Sequence, residues 1–293
     1  MAKFVLSAFA DEAGSTLSEQ IAALKENGIR YIEPRAIDGK GIIDMTDEEL
    51  AKVKKQLDDN GIKVNSFGSP IGKYPIEDDF ESYIPTVKRA FEIAKILGTP
   101  LIRMFSFFVK QEELDTWEGE VLRRLGIMAE LAAENGIILC HENESRIFGQ
   151  QPREVAKILT AIPTICGIFD PANYRMNGAD VTEGIKATLI NFKYMHIKDA
   201  IYDSQTIVRA GRGEGKIAQI IDIVNEHTEK TVYLTLEPHL HVFDAYKSID
   251  EHELKGEVVY KNSREAFDAA VTALKELLIN QGYREDGNGI WTK

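Results

Sequence analysis

The chain has 293 residues, 44% of them apolar and 28% charged, which is enough to bury a sizeable core and within the size range of one α/β barrel domain. Its 35 basic and 47 acidic residues give a formal charge of −12, which counts against nucleic acid or an acidic membrane surface as a partner and favours a small soluble substrate. The opening MAKFVLSAFADEAG does not read as a secretory leader, no run approaches the ~18 apolar residues of a membrane span, and Cys140 and Cys166, the only cysteines, sit in apolar segments, so a cytoplasmic protein with buried thiols is expected.

The first apolar run, Lys3–Ala8, reads as a strand. A helix follows around Thr16–Lys25, with Leu17, Ile21 and Leu24 on one face, a capping box of Thr16 and Glu19, and a stop at Asn27-Gly28. A second strand is expected near 30–35, where Glu33 and Arg35 share the inward parity and read as an ion pair with each other or with neighbours. The next helix opens with Thr46 and Glu49 in the same relation, turns Leu50, Val53 and Leu57 inward, and ends at Asn60-Gly61. Strands near 63–68, 100–107 and 137–143 follow, and the helices between them end at Leu97-Gly98 and Asn135-Gly136. Arg103 is a charge inside a strand, expected in the barrel mouth, where it meets substrate or pairs with an acid.

From Gly28 to Gly61 to Gly98 to Gly136 the steps are 33, 37 and 38 residues, the length of one strand, one crossover helix and two loops. Cys166–Asp170, Phe192–Lys198 and Val232–Glu237 bring the strands to eight. Strict βα alternation with eight strands predicts a single (β/α)8 TIM barrel domain over 1–293. Residues 239–262 form a long loop after strand 8, expected to serve the site or an oligomer contact, before a last helix near Ser263–Leu278 and a tail, Gly287–Lys293, expected to fray. No G-x-G-x-x-G follows the first strand and no phosphate-binding loop of the G-x-x-x-x-G-K-[ST] type occurs.

Strands five to eight run IILCHENE, CGIFDPAN, YMHIKDA and VYLTLEPHL, and each apolar run stops at an ionisable residue: Glu142, Asp170, His196 and Glu237. The C-terminal ends of the strands are where barrel enzymes keep their catalytic groups. Three packed carboxylates repel one another unless a cation sits among them. Carboxylate oxygens with one imidazole suit Mn²⁺ first, with Mg²⁺, Co²⁺ or Zn²⁺ as alternatives, so one divalent ion is the expected cofactor.

The series resembles the xylose-isomerase-like sugar phosphate isomerase/epimerase family along almost the whole chain. The likeness is densest at Ser69-Pro70-Ile71-Gly72-Lys73, His141-Glu142-Asn143, Asp170-Pro171-Ala172-Asn173, His196-Ile197-Lys198-Asp199 and Glu237-Pro238. It implies that Glu142, Asp170, His196 and Glu237 bind the metal. Glu142 and Glu237, about opposite across that metal, are then the proton-transfer pair on the two faces of a sugar. In 3-epimerase relatives a histidine commonly lies three residues after the metal-binding Asp, whereas this chain has Asn173, a departure that counts against a 3-epimerase. The resemblance also implies a homo-oligomer, with a partner subunit that completes the site as the alternative.

Around these residues, Lys198 shares the parity of His196 and is either a substrate contact or the partner of a local carboxylate, and Glu144 shares the parity of Glu142 and is either a substrate contact or a surface loop acid. Arg209 and Arg212 flank Gly211–Gly215 after strand seven, where many barrels bind phosphate, and are candidate anion contacts. His141 should face the helices and be structural, and His239 and His241 lie near the mouth. The leading expectation is a divalent-metal-dependent isomerase or epimerase of a monosaccharide, sugar phosphate or keto-polyol, acting through an enediolate. The first rival is a lyase on the same scaffold, a dehydratase or a cleaver of an oxidised glycoside. An endonuclease-IV-like DNA repair enzyme would need more histidines and a basic surface than this chain has.

Overall fold

The computed structural model describes residues 1–243, 256 and 258–293. Eight parallel strands alternate with helices: β1 (Lys3–Ala8), β2 (Tyr31–Ile32), β3 (Lys63–Val64), β4 (Leu101–Met104), β5 (Ile138–Glu142), β6 (Cys166–Phe169), β7 (Phe192–Ile197) and β8 (Thr231–Leu236). Ladders join β4 to β5, β5 to β6, β6 to β7, β7 to β8 and β8 to β1, the last in register from Lys3 opposite Thr231 to Ala8 opposite Leu236. A two-residue ladder joins β2 to β3. The ring closes where the Glu33 amide donates to the Ala8 carbonyl at 3.0 Å and where Phe67 bridges Ile102. This is a TIM barrel.

The helices start and stop where their caps dictate. Capping boxes open α1 (Leu17–Glu26) at Thr16 and Glu19, and α2 (Asp47–Asp59) at Thr46 and Glu49. The buried faces carry Leu17, Ile21 and Leu24 in α1, and Leu50, Val53 and Leu57 in α2. Then come α3 (Phe80–Leu97), α4 (Leu114–Glu134), α5 (Pro152–Ala161), α6 (Pro171–Met176), α7 (Val181–Thr188), α8 (Ile217–His227) and α9 (Ser263–Asn280). Gly98, at φ +75°, takes the left-handed position that ends α3.

Strands two and three are much shorter than the sequence suggests. After Ile32 the chain meets Pro34, which has no amide to donate, and then folds into a small hairpin, Ala36–Ile37 against Lys40–Gly41. Its turn residues Asp38 and Gly39 both have positive φ, at 54° and 74°, as the favoured hairpin turn requires.

Alternation within each strand places the site. Leu101, Cys140, Ile168 and Tyr194 pack as an apolar layer inside the barrel, with Ile138, Cys166 and Tyr233 against them. Two residues further up, on the same face, come Arg103, Glu142, Asp170 and His196. The outer faces, with the helices, form the larger core. Both thiols are free; Cys140 is buried and Cys166 is partly exposed, so the expectation of two buried thiols holds only for the first.

The tail does not fray. Arg284–Glu285 and Ile290–Thr292 form an antiparallel hairpin whose second strand pairs with β1, Trp291 opposite Phe4 and Ile290 opposite Val5. Trp291 is buried in the main core. Replacing it with alanine should cost about 3 kcal/mol, the lower end for a large aromatic, read as a lower denaturant midpoint at unchanged slope. An unaltered midpoint would mean that the hairpin adds nothing to the barrel. The expectation for 239–262 falls largely on 244–255 and 257, which lie outside the described residues.

Among the described residues no helix is long and apolar enough to cross a membrane.

Candidate metal centre

Glu142 ends β5, Asp170 follows β6, His196 is the fifth residue of β7 and Glu237 follows β8. All four are buried. Each offers a ligand atom, and these atoms lie within 4.8 Å of one another. His196 Nδ1 is 2.8 Å from Glu142 Oε1 and 3.1 Å from Glu237 Oε2. Asp170 caps the short helix α6 by accepting the Asn173 amide at Oδ1, 2.9 Å away, which leaves Oδ2 to the centre. Asn143 ties the two strand ends together, since its side chain both accepts from the Asp170 amide and donates to the Asp170 carbonyl, each at 2.9 Å.

The cluster is short of donors on one side. Asp170 Oδ2 and Glu237 Oε2 are buried and accept no well-aligned hydrogen bond. Lys198 Nζ is an ion-pair neighbour of both, at 2.9 and 3.7 Å, and His196 Nδ1 lies 3.1 Å from the second, but none of these contacts is a hydrogen bond. Burial first, then Glu237 and Glu142, push the Asp170 carboxyl up to about 7 against the pull of Lys198. Glu142 and Glu237 stay below the usual carboxylate range: burial opposes this, but His196 and Arg103 outweigh it at Glu142, and Lys198 and His196 at Glu237. Lys198 is held firmly charged despite burial, chiefly by Asp170 and Glu237. A group of convergent buried carboxylate oxygens with a half-satisfied imidazole fits a divalent cation.

Basic side chains brace the outer edge. Arg103 Nη1 lies 3.3 Å from Glu142 Oε2 and 4.0 Å from Glu237 Oε1. Arg35 does not pair with Glu33. It bonds Asp11 twice, at 3.0 and 3.1 Å, Glu12 at 3.3 Å and Glu237 Oε1 at 3.0 Å. The two guanidiniums also stack: Arg35 lies between Phe243 and Phe9, and Arg103 between Phe9 and Phe105. Lys73 caps the series over the Phe105 ring at 4.6 Å. Glu12, buried beside Arg35, is pushed up to about 8 by that burial.

A cavity of about 440 Å³ opens beside the quartet, walled by Asp11, Arg35, Lys73, Arg103, Phe105 and the 36–41 hairpin with the turn that follows it. The loop that carries Lys73 into it depends on one close approach. Gly72, at φ +88°, lies so near β4 that a β-carbon there would sit 2.0 Å from the Phe105 carbonyl oxygen.

Of the other residues singled out in the sequence, Arg103 lines this cavity and Lys198 faces the quartet. Glu144 sits at the rim in an ion pair with Lys73 at 3.2 Å. Arg209 and Arg212 are not in the cavity wall; Arg209 is half-buried beside Lys198 and Asp199, and Arg212 is exposed. The glycine-rich loop has an internal occupant. The amides of Gly211, Gly213 and Gly215 all donate to the Asp199 carboxylate, at 2.9, 3.0 and 2.8 Å. His141 faces outward, 2.9 Å from Ser106 Oγ, and burial lowers it to about 4, so it is neutral and structural. His239 reaches the mouth, its Nε2 3.4 Å from Glu12 and 3.5 Å from Glu237, while His241 lies outside it against Val242 and Ser263.

Asp11, Glu12, Arg35 and Lys73 were not picked out as site residues from the sequence. For the first two a signal existed: they follow the apolar run of β1 just as the quartet's acids follow theirs. For Arg35 the inward parity was readable but its partners were not, because they are 23 to 202 residues away.

The family model described as xylose isomerase-like TIM barrel matches residues 21–269. Among solved structures, the chain is similar to the IOLI protein with a bound zinc atom, at 15% identity and a TM-score of 0.73, over 95% of this chain and 99% of that one. It is also similar to D-psicose 3-epimerase in the presence of D-fructose, at 15% identity and TM-score 0.70, over 95% and 99%. The probable 3-DHS dehydratase from Bacillus anthracis is alike at 15% identity and TM-score 0.68, over 94% and 99%. At such identities the likeness is one of fold. No curated protein matches the chain in sequence.

Proposed function

The chain belongs to the xylose isomerase-like TIM barrel family, and from that premise we propose that residues 1–293 form one barrel domain, a divalent-metal-dependent isomerase or epimerase of a small carbohydrate. The observation that carries this reading is the convergence of Glu142, Asp170, His196 and Glu237, with two buried carboxylate oxygens lacking aligned donors. These four residues would hold the ion, manganese being the preferred fit for their hard oxygens and single imidazole. When bound, it would supply Lewis acidity to a substrate carbonyl and make a neighbouring C–H acidic.

The chain's own residues then have distinct tasks. Glu142 and Glu237 are kept ionised, as a base must be, and one takes the proton from the carbon next to the carbonyl while the other returns one. Asp170 and His196 serve as ligands alone. Lys198 and Arg103, held charged in the mouth, hydrogen-bond the oxygens of the substrate, with Glu144 at the rim. The Phe9 and Phe105 rings keep the guanidiniums oriented and water away from the reacting carbons. Arg209 and Arg212 take part only if the substrate extends past Lys198, because the glycine-rich loop has already committed its amides to Asp199.

Elemental analysis of the purified protein, followed by incubation with ketoses in D₂O, tests the proposal. We expect a divalent ion on each chain and solvent deuterium on the carbon beside the carbonyl. A product lighter by water, or a released aglycone, would move the assignment to a lyase on the same scaffold. A protein that takes up no metal even when it is added back would remove the quartet as a metal centre.

A further inference from the structure

Both ring nitrogens of His196 face carboxylates, on opposite sides. Nδ1 looks into the quartet, while Nε2 lies 3.5 Å from Oε2 of Glu33, the residue that follows β2. Glu33 is fully buried, and among the described residues His196 is its one ion-pair partner. Its other oxygen accepts a 2.7 Å hydrogen bond from the Tyr194 hydroxyl, which is itself 3.0 Å from Ser66 Oγ. Tyr194 and His196 are two residues apart on β7 and share a face, so the group that anchors Glu33 and the ring that Glu33 addresses ride on one strand. Glu33 Oε2 and His196 Nε2 are both buried without a hydrogen bond, and they lie 3.5 Å apart.

A neutral imidazole carries one proton and can place it on either nitrogen. Beside Nδ1 stand two carboxylates, Glu142 and Glu237, and both attract that proton. A proton on Nδ1 would close the one ring position that faces the quartet. A fixed carboxylate on the far side reverses the preference, because it accepts from Nε2–H and makes the other nitrogen more basic.

We propose that Glu33 is a positioning residue that keeps the ring proton of His196 on Nε2, so that Nδ1 offers its lone pair to the quartet. This rests on reading the quartet as a metal centre. Tyr194 and Ser66 hold Glu33 in register, and the edge-on contact of Phe9, 5.1 Å from the imidazole centroid, fixes the plane of the ring. Arg35, the partner suggested by nearness in sequence, is engaged by Asp11, Glu12 and Glu237 and leaves Glu33 to this task.

The first test needs no substitution. Nitrogen-15 spectra of the wild-type protein loaded with Zn²⁺ should show His196 protonated at Nε2 and metal-bound at Nδ1; the reverse arrangement overturns the proposal. The second compares Mn²⁺ affinity by calorimetry for wild type, Glu33→Leu, Glu33→Gln and Tyr194→Phe. Leucine should weaken binding about 10- to 100-fold, as loss of such a partner typically does. Glutamine, whose carbonyl still accepts from Nε2–H, should restore most of the affinity, and Tyr194→Phe should cost less than leucine. Leucine at wild-type affinity, or glutamine as weak as leucine when both variants melt like wild type, overturns the proposal. Should the leucine variant not fold, the ring spectra of the wild type decide. Wild-type protein that binds neither ion would instead overturn the metal reading beneath it, so the two failures are distinct.

Discussion

Glu142→Gln is expected to lower turnover about 10³-fold, the middle of the range for loss of a general base, while the protein keeps its fold. Glutamine has nearly the shape of glutamate, so the packing at the end of β5 is preserved. What changes is charge. Glu142 is buried with Arg103 at 3.3 Å and His196 at 2.8 Å, and the substitution leaves the Arg103 guanidinium facing an amide that cannot take a proton from carbon. The measurement is the rate of deuterium entry into whichever ketose the wild type exchanges, taken at saturating Mn²⁺ so that weaker metal binding is not mistaken for slower chemistry. A full exchange rate in a folded, metal-saturated variant would sink the role of Glu142 as base. Glu237→Gln should give a comparable loss by the same measure if the two carboxylates divide the two proton transfers. It also leaves Arg35 with one acid fewer, so a larger fall in stability should accompany it.

The quartet could be read in the sequence because barrel geometry turns a one-dimensional pattern into a place. Four consecutive apolar runs each stop at an ionisable residue, and the stagger of tilted barrel strands, with Glu142 opposite Ile168 and His196 opposite Thr235, brings those stops together at one end. The inward parity of Glu33 and Arg35 was legible for the same reason. Their partners were not, since parity tells which face a side chain takes but not which neighbour across the barrel it meets. Glu33 reaches His196 and Tyr194 from β7, and Arg35 reaches past it to acids after β1 and β8.

The glycine-rich stretch 211–215 shows another limit. Glycines with nearby arginines suggest a cradle for a bound anion, but nothing in their spacing says that the anion is Asp199 of the same chain. The short strands β2 and β3 were overestimated because an apolar run does not reveal where its ladder partner departs; Pro34 and the positive φ of Asp38 were the local clues. His239 and His241 differ by two residues and have the same chemistry, yet only the first meets Glu12 and Glu237.

His196→Ala should abolish stabilisation by metal and lower the melting temperature of the metal-free protein. Two separate causes act. With metal absent, His196 is held charged well above its ordinary range: burial opposes this, but Glu142 and Glu33 outweigh it, so the ring is the cation around which three buried carboxylates are arranged. Alanine removes that cation and leaves a cavity, and breaking one side of a buried charge cluster typically costs about 3–5 kcal/mol. With metal present, a ligand that binds only the folded state adds about 2.7 kcal/mol at one hundred times its dissociation constant. Losing the single nitrogen ligand should remove most of that gain at the same Mn²⁺ concentration. Thermal denaturation with and without Mn²⁺ separates the two: the metal-free curves report the charge cluster, and the metal-induced shift reports the ligand. A variant that melts lower but still gains the wild-type shift would keep His196 as a structural cation and strip it of its place at the metal. A variant that matches the wild type in both would mean that neither the charge balance nor the coordination argued for this ring is correct.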